Sequence, residues 1–263
     1  MANTSKLRLT AVSRTHPGCL RAYNQDAVHL GEHVLAVADG MGGHAHGEVA
    51  SAVAVEVLDE LETAVAHEKI AENDKTGALA AVVGEVLRRL NDLAARDSGL
   101  YGMGTTITAL LWNGATVTGA HIGDSRAYRW RAGELVQLTR DHTFVQSLLD
   151  GGRITAEEAA VHPRQNLLAR AVQTGGSAEP DVFSHRARAG DRYLICSDGL
   201  PRVLTDETIA GVLSDVVVPA DAVDQLIDLA LRGGAPDNVS VLLADVADAP
   251  RSGHRKYFWR QSG

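Results

Sequence analysis

Residues 105–139 read TTITALLWNGATVTGAHIGDSRAYRWRAGELVQLT. Four short strand-like runs, Thr105 to Trp112, Thr116 to Ile122, Arg126 to Arg131 and Leu135 to Thr139, are parted by Asn113-Gly114, Gly123-Asp124 and Ala132-Gly133. Turn-forming pairs between short β-prone runs predict an antiparallel meander. Upstream the period changes. Val49, Val53, Val57, Leu61 and Val65 recur at helical spacing, and between Gly77 and Ala95 the residues Leu79, Val82, Val83, Val86, Leu87, Leu90 and Leu93 share one face. These are two amphipathic helices. Before them, Leu7 to Val12 reads as a strand, and His33 to Ala38 as a buried strand closed by Asp39-Gly40. Downstream, residues 142–173 have a helical pattern broken at Gly151-Gly152 and His162-Pro163. Strands follow around Asp181–His185 and Tyr193–Ser197, then helices over 206–214 and 219–231, and a last strand over Val239–Val246. Strands, two helices, strands, two helices, strand is not the alternation of a parallel α/β fold. It predicts an α+β protein, with sheets packed together and helices outside.

At 263 residues, 45% hydrophobic and 22% charged, the chain is large and apolar enough to bury a core. Only 4% of residues are aromatic, so that core is built from Ala, Val, Leu and Ile. The formal charge of −8 argues against a general nucleic-acid binder, which needs a cationic face. No apolar run is long enough for a membrane span, and Met1 to Leu9 is too polar for a signal peptide, so the expected location is cytoplasmic. Cys19 and Cys196 supply neither a disulfide framework nor zinc-ligand spacing.

Aspartates recur where apolar runs stop. Asp39 closes the 33–38 run, Asp124 follows Ala120-His121-Ile122-Gly123, and Asp198 closes Tyr193 to Ser197. Asp237 precedes the last strand, and Asp26 precedes another short one. Any one of these reads as an ordinary turn or cap. Together, strand ends that converge on one rim would crowd carboxylates that repel unless protonated or neutralised. An all-oxygen site selects hard ions such as Mg²⁺ or Mn²⁺. Glycine at position 40 lets a backbone carbonyl approach such an ion.

Six motifs in order, Arg21-Ala-Tyr-Asn24-Gln25-Asp26, Val37-Ala-Asp39-Gly40-Met41-Gly42-Gly43-His44, Gly104-Thr105-Thr106, Gly123-Asp124-Ser125-Arg126, Ser197-Asp198-Gly199 and Pro236-Asp237-Asn238, resemble the series of the metal-dependent Ser/Thr protein phosphatases (the PPM, or type 2C, family) in its compact bacterial form. The resemblance covers residues 6–247 and implies a four-layer α-β-β-α sandwich, two antiparallel sheets flanked by helices. It implies one catalytic domain over 1–247 and a separate tail over 248–263. It implies two catalytic Mn²⁺ or Mg²⁺ ions, with Asp39 bridging both, the Gly40 carbonyl on the second, and Asp198 and Asp237 on the first. Asp124 with Asp198 would hold a third, weaker ion, Asp26 would orient water from behind, and Arg21 would bind the substrate phosphate. Thr105 and Thr106 would be structural supports. The implied reaction is direct attack of a bridging hydroxide on the phosphorus of phosphoserine or phosphothreonine, without a phosphoenzyme. Phosphorylated proteins would be the partners, and Ser/Thr kinases would be opposed.

The chain departs from the family pattern at His16 and at Met41, where relatives carry other residues, and the proton donor to the leaving oxygen stays unassigned. His44-Ala45-His46 invites a metal reading but suits a turn opening a helix better. Cys196 to Arg202 has the C-x₅-R spacing of Cys-based phosphatases, although Asp198 inside that cradle would repel thiolate and phosphate alike. A non-catalytic phosphoprotein binder is disfavoured because every matched ligand position is filled. Residues 141–173 fall where relatives carry a flap that affects substrate choice, and their glycines suit hinges and helix punctuation equally. The tail sets Arg251, Arg255, Lys256 and Arg260 against Asp248 and contains Tyr257-Phe258-Trp259. It reads first as a solvated basic end, with an anionic docking or membrane-surface segment as the alternative.

Overall fold

The structure, a computed structural model, describes residues 6–42, 46–68, 70–71 and 74–249. His44, Ala45 and nearly all of the basic, aromatic tail lie outside the described residues. In chain order the elements are β1 (Leu7–His16), β2 (Asp26–Leu30), β3 (Val34–Met41), α1 (Gly47–Ala66), α2 (Lys75–Arg96), β4 (Gly104–Thr105), β5 (Ile107–Trp112), β6 (Thr116–Ile122), β7 (Arg126–Arg131) and β8 (Glu134–Gln137). Then follow α3 (Phe144–Asp150), α4 (Ala156–Ala160), β9 (Val172–Gln173), β10 (Asp181–Arg186), β11 (Arg192–Cys196), α5 (Asp206–Asp215), α6 (Pro219–Arg232) and β12 (Val239–Asp248). One sheet runs β1-β12-β11-β7-β8; the other runs β10-β6-β5-β3-β4-β9, with β2 also on β3. Every strand pairing is antiparallel.

Both faces of the central strands are covered, which explains their nearly unbroken apolar sequences. On β3, Val34, Ala36 and Ala38 pack toward Val53, Val57 and Leu61 of α1 and Val83 and Val86 of α2. The alternate residues Leu35 and Val37 join the layer between the sheets, with Tyr193, Ile195, Leu242 and Ala244. On the far side, Leu194 and Cys196 of β11 pack with Ile209 and Val212 of α5 and Val223, Leu226 and Ile227 of α6. Three apolar layers separated by two sheets make the four-layer α-β-β-α sandwich.

Two expectations need correction. The 105–139 stretch is not one meander. The β5–β6 hairpin belongs to one sheet and the β7–β8 hairpin to the other, so the chain crosses between sheets at Gly123-Asp124-Ser125. Gly123 has φ +117°, and a Cβ there would lie 2.4 Å from the Thr106 methyl carbon, so the crossing needs glycine twice over. Residues 142–173 are helical only over the short α3 and α4. Gly152, at φ +62°, follows the first, and the second ends just before Pro163. β1 and β12 both run longer than the apolar alternation shows, paired from Leu7↔Asp248 to His16↔Val239. Asp248 therefore belongs to the sheet rather than to the tail. Among the described residues no helix is long and apolar enough to cross a membrane.

Candidate active site

A cleft of about 440 Å³ opens at the rim where the two sheets meet. Its lining includes Arg21, Asp39, Gly40, Asp124, Asp198 and Asp237, together with Arg202 and the 166–168 segment. Six of the seven residues expected to form the site thus share one cavity, and the seventh, Asp26, stands directly across from Asp39 in the β2–β3 register. A larger cleft, about 520 Å³ beside Leu9, Trp112 and Asn113, contains none of these carboxylates.

Each carboxylate is carried by a strand end. Asp39 sits near the end of β3, where its N–H donates to Thr106 Oγ1 (3.1 Å) and its carbonyl accepts from Thr106 N–H (2.9 Å) and Thr105 Oγ1 (3.0 Å). The two threonines are therefore positioning supports. Gly40 follows where β3 meets the start of α1: a Cβ on it would lie 2.2 Å from the Gly47 carbonyl oxygen and 2.6 Å from that of Gln25. Glycine is required at position 40 by this backbone crossing as well as by any approach of its carbonyl to an ion. Asp124 stands at the crossing between sheets, braced by reciprocal bonds of Gly123 with His142: His142 N–H to the Gly123 carbonyl (2.7 Å) and Gly123 N–H to His142 Nδ1 (3.1 Å).

Asp26 Oδ2 accepts from Ser197 Oγ and Ser240 Oγ, both at 2.7 Å, so serines of one sheet hold a carboxylate of the other. Asn238 accepts from Gln25 N–H (2.8 Å) and donates to the carbonyls of Pro17 (3.0 Å) and Tyr23 (2.9 Å), which fastens the loop bearing Arg21. Asp237 Oδ2 receives Arg21 Nη2 (2.7 Å) and Arg202 Nη1 (3.2 Å). Arg202 also pairs closely with Asp198 Oδ2. The sequence gives no role to Ser240 or Asn238, and offers Arg202 only as the arginine of the C-x₅-R alternative. Asn238 belongs to the Pro236-Asp237-Asn238 motif, and Arg202 is four residues after Asp198, a helical-turn spacing that brings side chains together.

The electrostatics are those of crowded, buried carboxyls. Burial, then repulsion from Asp26, Asp198, Asp124 and Asp237, pushes the Asp39 carboxyl well above the ordinary range. Burial, then Asp124, does the same to Asp198 against the opposing pull of Arg202. Asp124 is pushed up to about 6, chiefly by burial, with Arg202 opposing. Burial raises Asp26 against its bonds from Ser240 and Ser197. Buried Oδ1 atoms of Asp26 and Asp198 have no hydrogen-bond partner. Carboxylates and a backbone carbonyl, with orphaned oxygens, fit a hard divalent cation. Among the described residues no three acidic, histidine or cysteine side chains stand together as a ready ligand cluster, and the guanidinium groups of Arg21 and Arg202 lie among the acids instead.

The C-x₅-R alternative fails on chemistry. Cys196 is completely buried, and burial pushes its thiol up to about 12, so no thiolate nucleophile forms near neutral pH. Replacing it by serine is expected to leave kcat/KM on a phosphopeptide within about threefold of wild type, while costing the fold roughly 1–2 kcal/mol for a buried hydroxyl. A thousandfold loss in steady-state turnover, with the melting temperature preserved, would restore the cysteine mechanism.

The family model described as Protein phosphatase 2C matches residues 21–231. The serine/threonine protein phosphatase PstP of Mycobacterium tuberculosis is 47% identical over 246 residues, which is 92% of this chain and 46% of PstP. This chain thus spans about half the length of that relative. The serine/threonine phosphatase stp of Listeria monocytogenes is 35% identical over 237 residues, covering 88% of this chain and 94% of its own. Among solved structures, the catalytic domain of PstP in complex with two manganese ions superposes with a TM-score of 0.83 at 46% identity, covering 92% of this chain and all of that one.

Proposed function

The chain belongs to the protein phosphatase 2C family, and from that premise we propose that it is a metal-dependent phosphatase that hydrolyses phosphoserine and phosphothreonine on proteins, opposing Ser/Thr kinases. The observation that carries the reading is the convergence of Asp39, Asp124, Asp198 and Asp237, from four separate strand ends, on one cleft that also holds Arg21. In this reading the catalytic domain, given as 1–247 by the resemblance, extends to Asp248 at the end of β12.

Asp39, Asp198, Asp237 and the Gly40 carbonyl would hold two Mn²⁺ or Mg²⁺ ions, and Asp124 with Asp198 is where the resemblance implies a third, weaker one. When bound, such ions lower the pKa of water and offset phosphate charge. The protein supplies the rest. Arg21 projects from a loop pinned by Asn238, its side chain 54% exposed and touching a single carboxylate, so it can leave Asp237 and fork two N–H groups onto phosphate oxygens. Asp26, held by two serine hydroxyls, keeps its Oδ1 free to accept a proton or to orient a water. The 166–168 segment walls the cleft on one side and restricts the substrate's approach. Its carbonyl at Leu167 accepts from Phe144 N–H (2.7 Å), which ties it to α3.

The test is turnover of a phosphothreonine peptide by the purified chain. Phosphate release is expected with Mn²⁺ or Mg²⁺, to fall to background in excess chelator, and to return on adding metal. Full activity in chelator would sink the reading.

A further inference from the structure

We propose that the guanidinium of Arg202 is a tethered cation built into the carboxylate wall, and that it takes the place between Asp124 and Asp198 that the family resemblance gives to a third divalent ion. Arg202 Nη2 pairs with Asp198 Oδ2 and lies 4.0 Å from Asp124 Oδ2, while Nη1 reaches Asp237 Oδ2 at 3.2 Å. One side chain thus meets three of the acids through two nitrogens. No other described cation does this: Arg21 touches Asp237 alone.

The placement is set by backbone. After β11 the chain turns, and Arg202 N–H donates to the Asp198 carbonyl (3.1 Å) while Leu204 N–H donates to the Leu200 carbonyl (2.9 Å). These helical-type bonds stack residue 202 directly over residue 198. Leu200 and Leu204 anchor the turn in the core beneath α5 and α6. The Arg202 side chain is 26% exposed, half the exposure of Arg21, so its stem is largely covered and its head has little freedom. On the other side, Asp237 Oδ1 accepts Asn238 N–H (2.9 Å), which leaves Oδ2 for guanidinium. A planar fork with five N–H donors satisfies several carboxylates at once, and arginine cannot be deprotonated to release them. A divalent ion entering the Asp124–Asp198 place must therefore displace a cation that cannot diffuse away.

The inference rests on the metal-dependent reading, and its test separates the two. Metal-free wild type, Arg202→Ala, Arg202→Gln and Arg202→Lys are titrated with Mn²⁺, and bound ions are counted from the loss of the free-Mn²⁺ electron paramagnetic resonance signal. Melting temperature in chelator is a second readout. Arg202→Ala and Arg202→Gln are expected to bind one more Mn²⁺ per chain than wild type, and Arg202→Lys to keep the wild-type count. In chelator the Ala variant is expected to melt at least about 2–4 °C lower, having lost the cation among its acids. Arg202→Gln preserves volume and carries the test if the Ala variant does not fold. An unchanged count in the Ala and Gln variants, with wild type taking up Mn²⁺, overturns this inference alone. If those variants keep the count but lose binding of inorganic phosphate, Arg202 is a phosphate ligand and the inference is equally overturned. No Mn²⁺ uptake by any of the four overturns the metal-dependent reading and this inference with it.

Discussion

Asp39→Asn is expected to lower kcat/KM on a phosphothreonine peptide by at least about 10³-fold, a loss of roughly 4 kcal/mol of transition-state stabilisation. The same change should make the metal-free protein melt higher than wild type. The two effects have one cause. Asp39 faces Asp26 across the β2–β3 pair and is pushed upward by burial and by Asp26, Asp198, Asp124 and Asp237. A charge in that position destabilises the fold when no cation is present, and it is the charge that would draw divalent ions in. Asparagine keeps the shape and the backbone bonds to Thr105 and Thr106, and its amide can donate to the neighbouring Asp26. Thermal melts with chelator and with saturating Mn²⁺ check the claim alongside kinetics. A variant that loses activity and also melts lower in chelator would mean that Asp39 is a structural residue.

Much of this site was legible in the sequence, because a carboxylate that ends a buried strand leaves a local signature. Asp39 and Asp198 each close an apolar run, and Asp124 follows one. Their convergence was not legible from residues alone, since it depends on which strands pair. β3 sits beside β5 and β11 beside β12, partners 71–77 and 45–53 residues apart in the chain. The change of sheet at Gly123-Asp124 looks in sequence like a hairpin turn, because a glycine-aspartate pair serves both purposes. Ser240 leaves no trace: it is the second residue of β12, inside an apolar run, and reaches Asp26 across 214 positions. Arg202 had a usable signal in its spacing from Asp198, yet the more conspicuous match was to Cys196. Over 142–173 the breaks at Gly151-Gly152 and His162-Pro163 fall where the sequence places them, and the departure lies after Pro163, where the chain runs without a helix into the short strand β9.

The second large effect is on stability, and its sign follows from the direction of the carboxyl shifts. A carboxyl raised in the folded chain binds protons on folding, so its stabilising contribution is full below its unfolded value and is lost as pH rises through the folded one. Asp124, moved to about 6, accounts for up to about 3 kcal/mol lost on ionisation, and Asp39 and Asp198 act in the same direction. Buried histidines oppose this. His29, His121 and His142 are lowered chiefly by burial, so their contribution is full above the unfolded value near 6.5 and is lost as pH falls from there through their lower folded values. A melt of wild type alone therefore mixes two slopes. The difference between wild type and Asp39→Asn, both in chelator, cancels the histidines. At pH 5 that difference is expected to be small, because a protonated Asp39 resembles asparagine. By pH 8 it should favour the variant by several degrees as Asp39 ionises among its neighbours. Saturating Mn²⁺ should reverse the sign at pH 8, because wild type alone then gains the full stabilisation of bound ions. A difference that stays flat from pH 5 to 8 in chelator would show that Asp39 is not strained by its neighbours, and the electrostatic account of the site would fall with it.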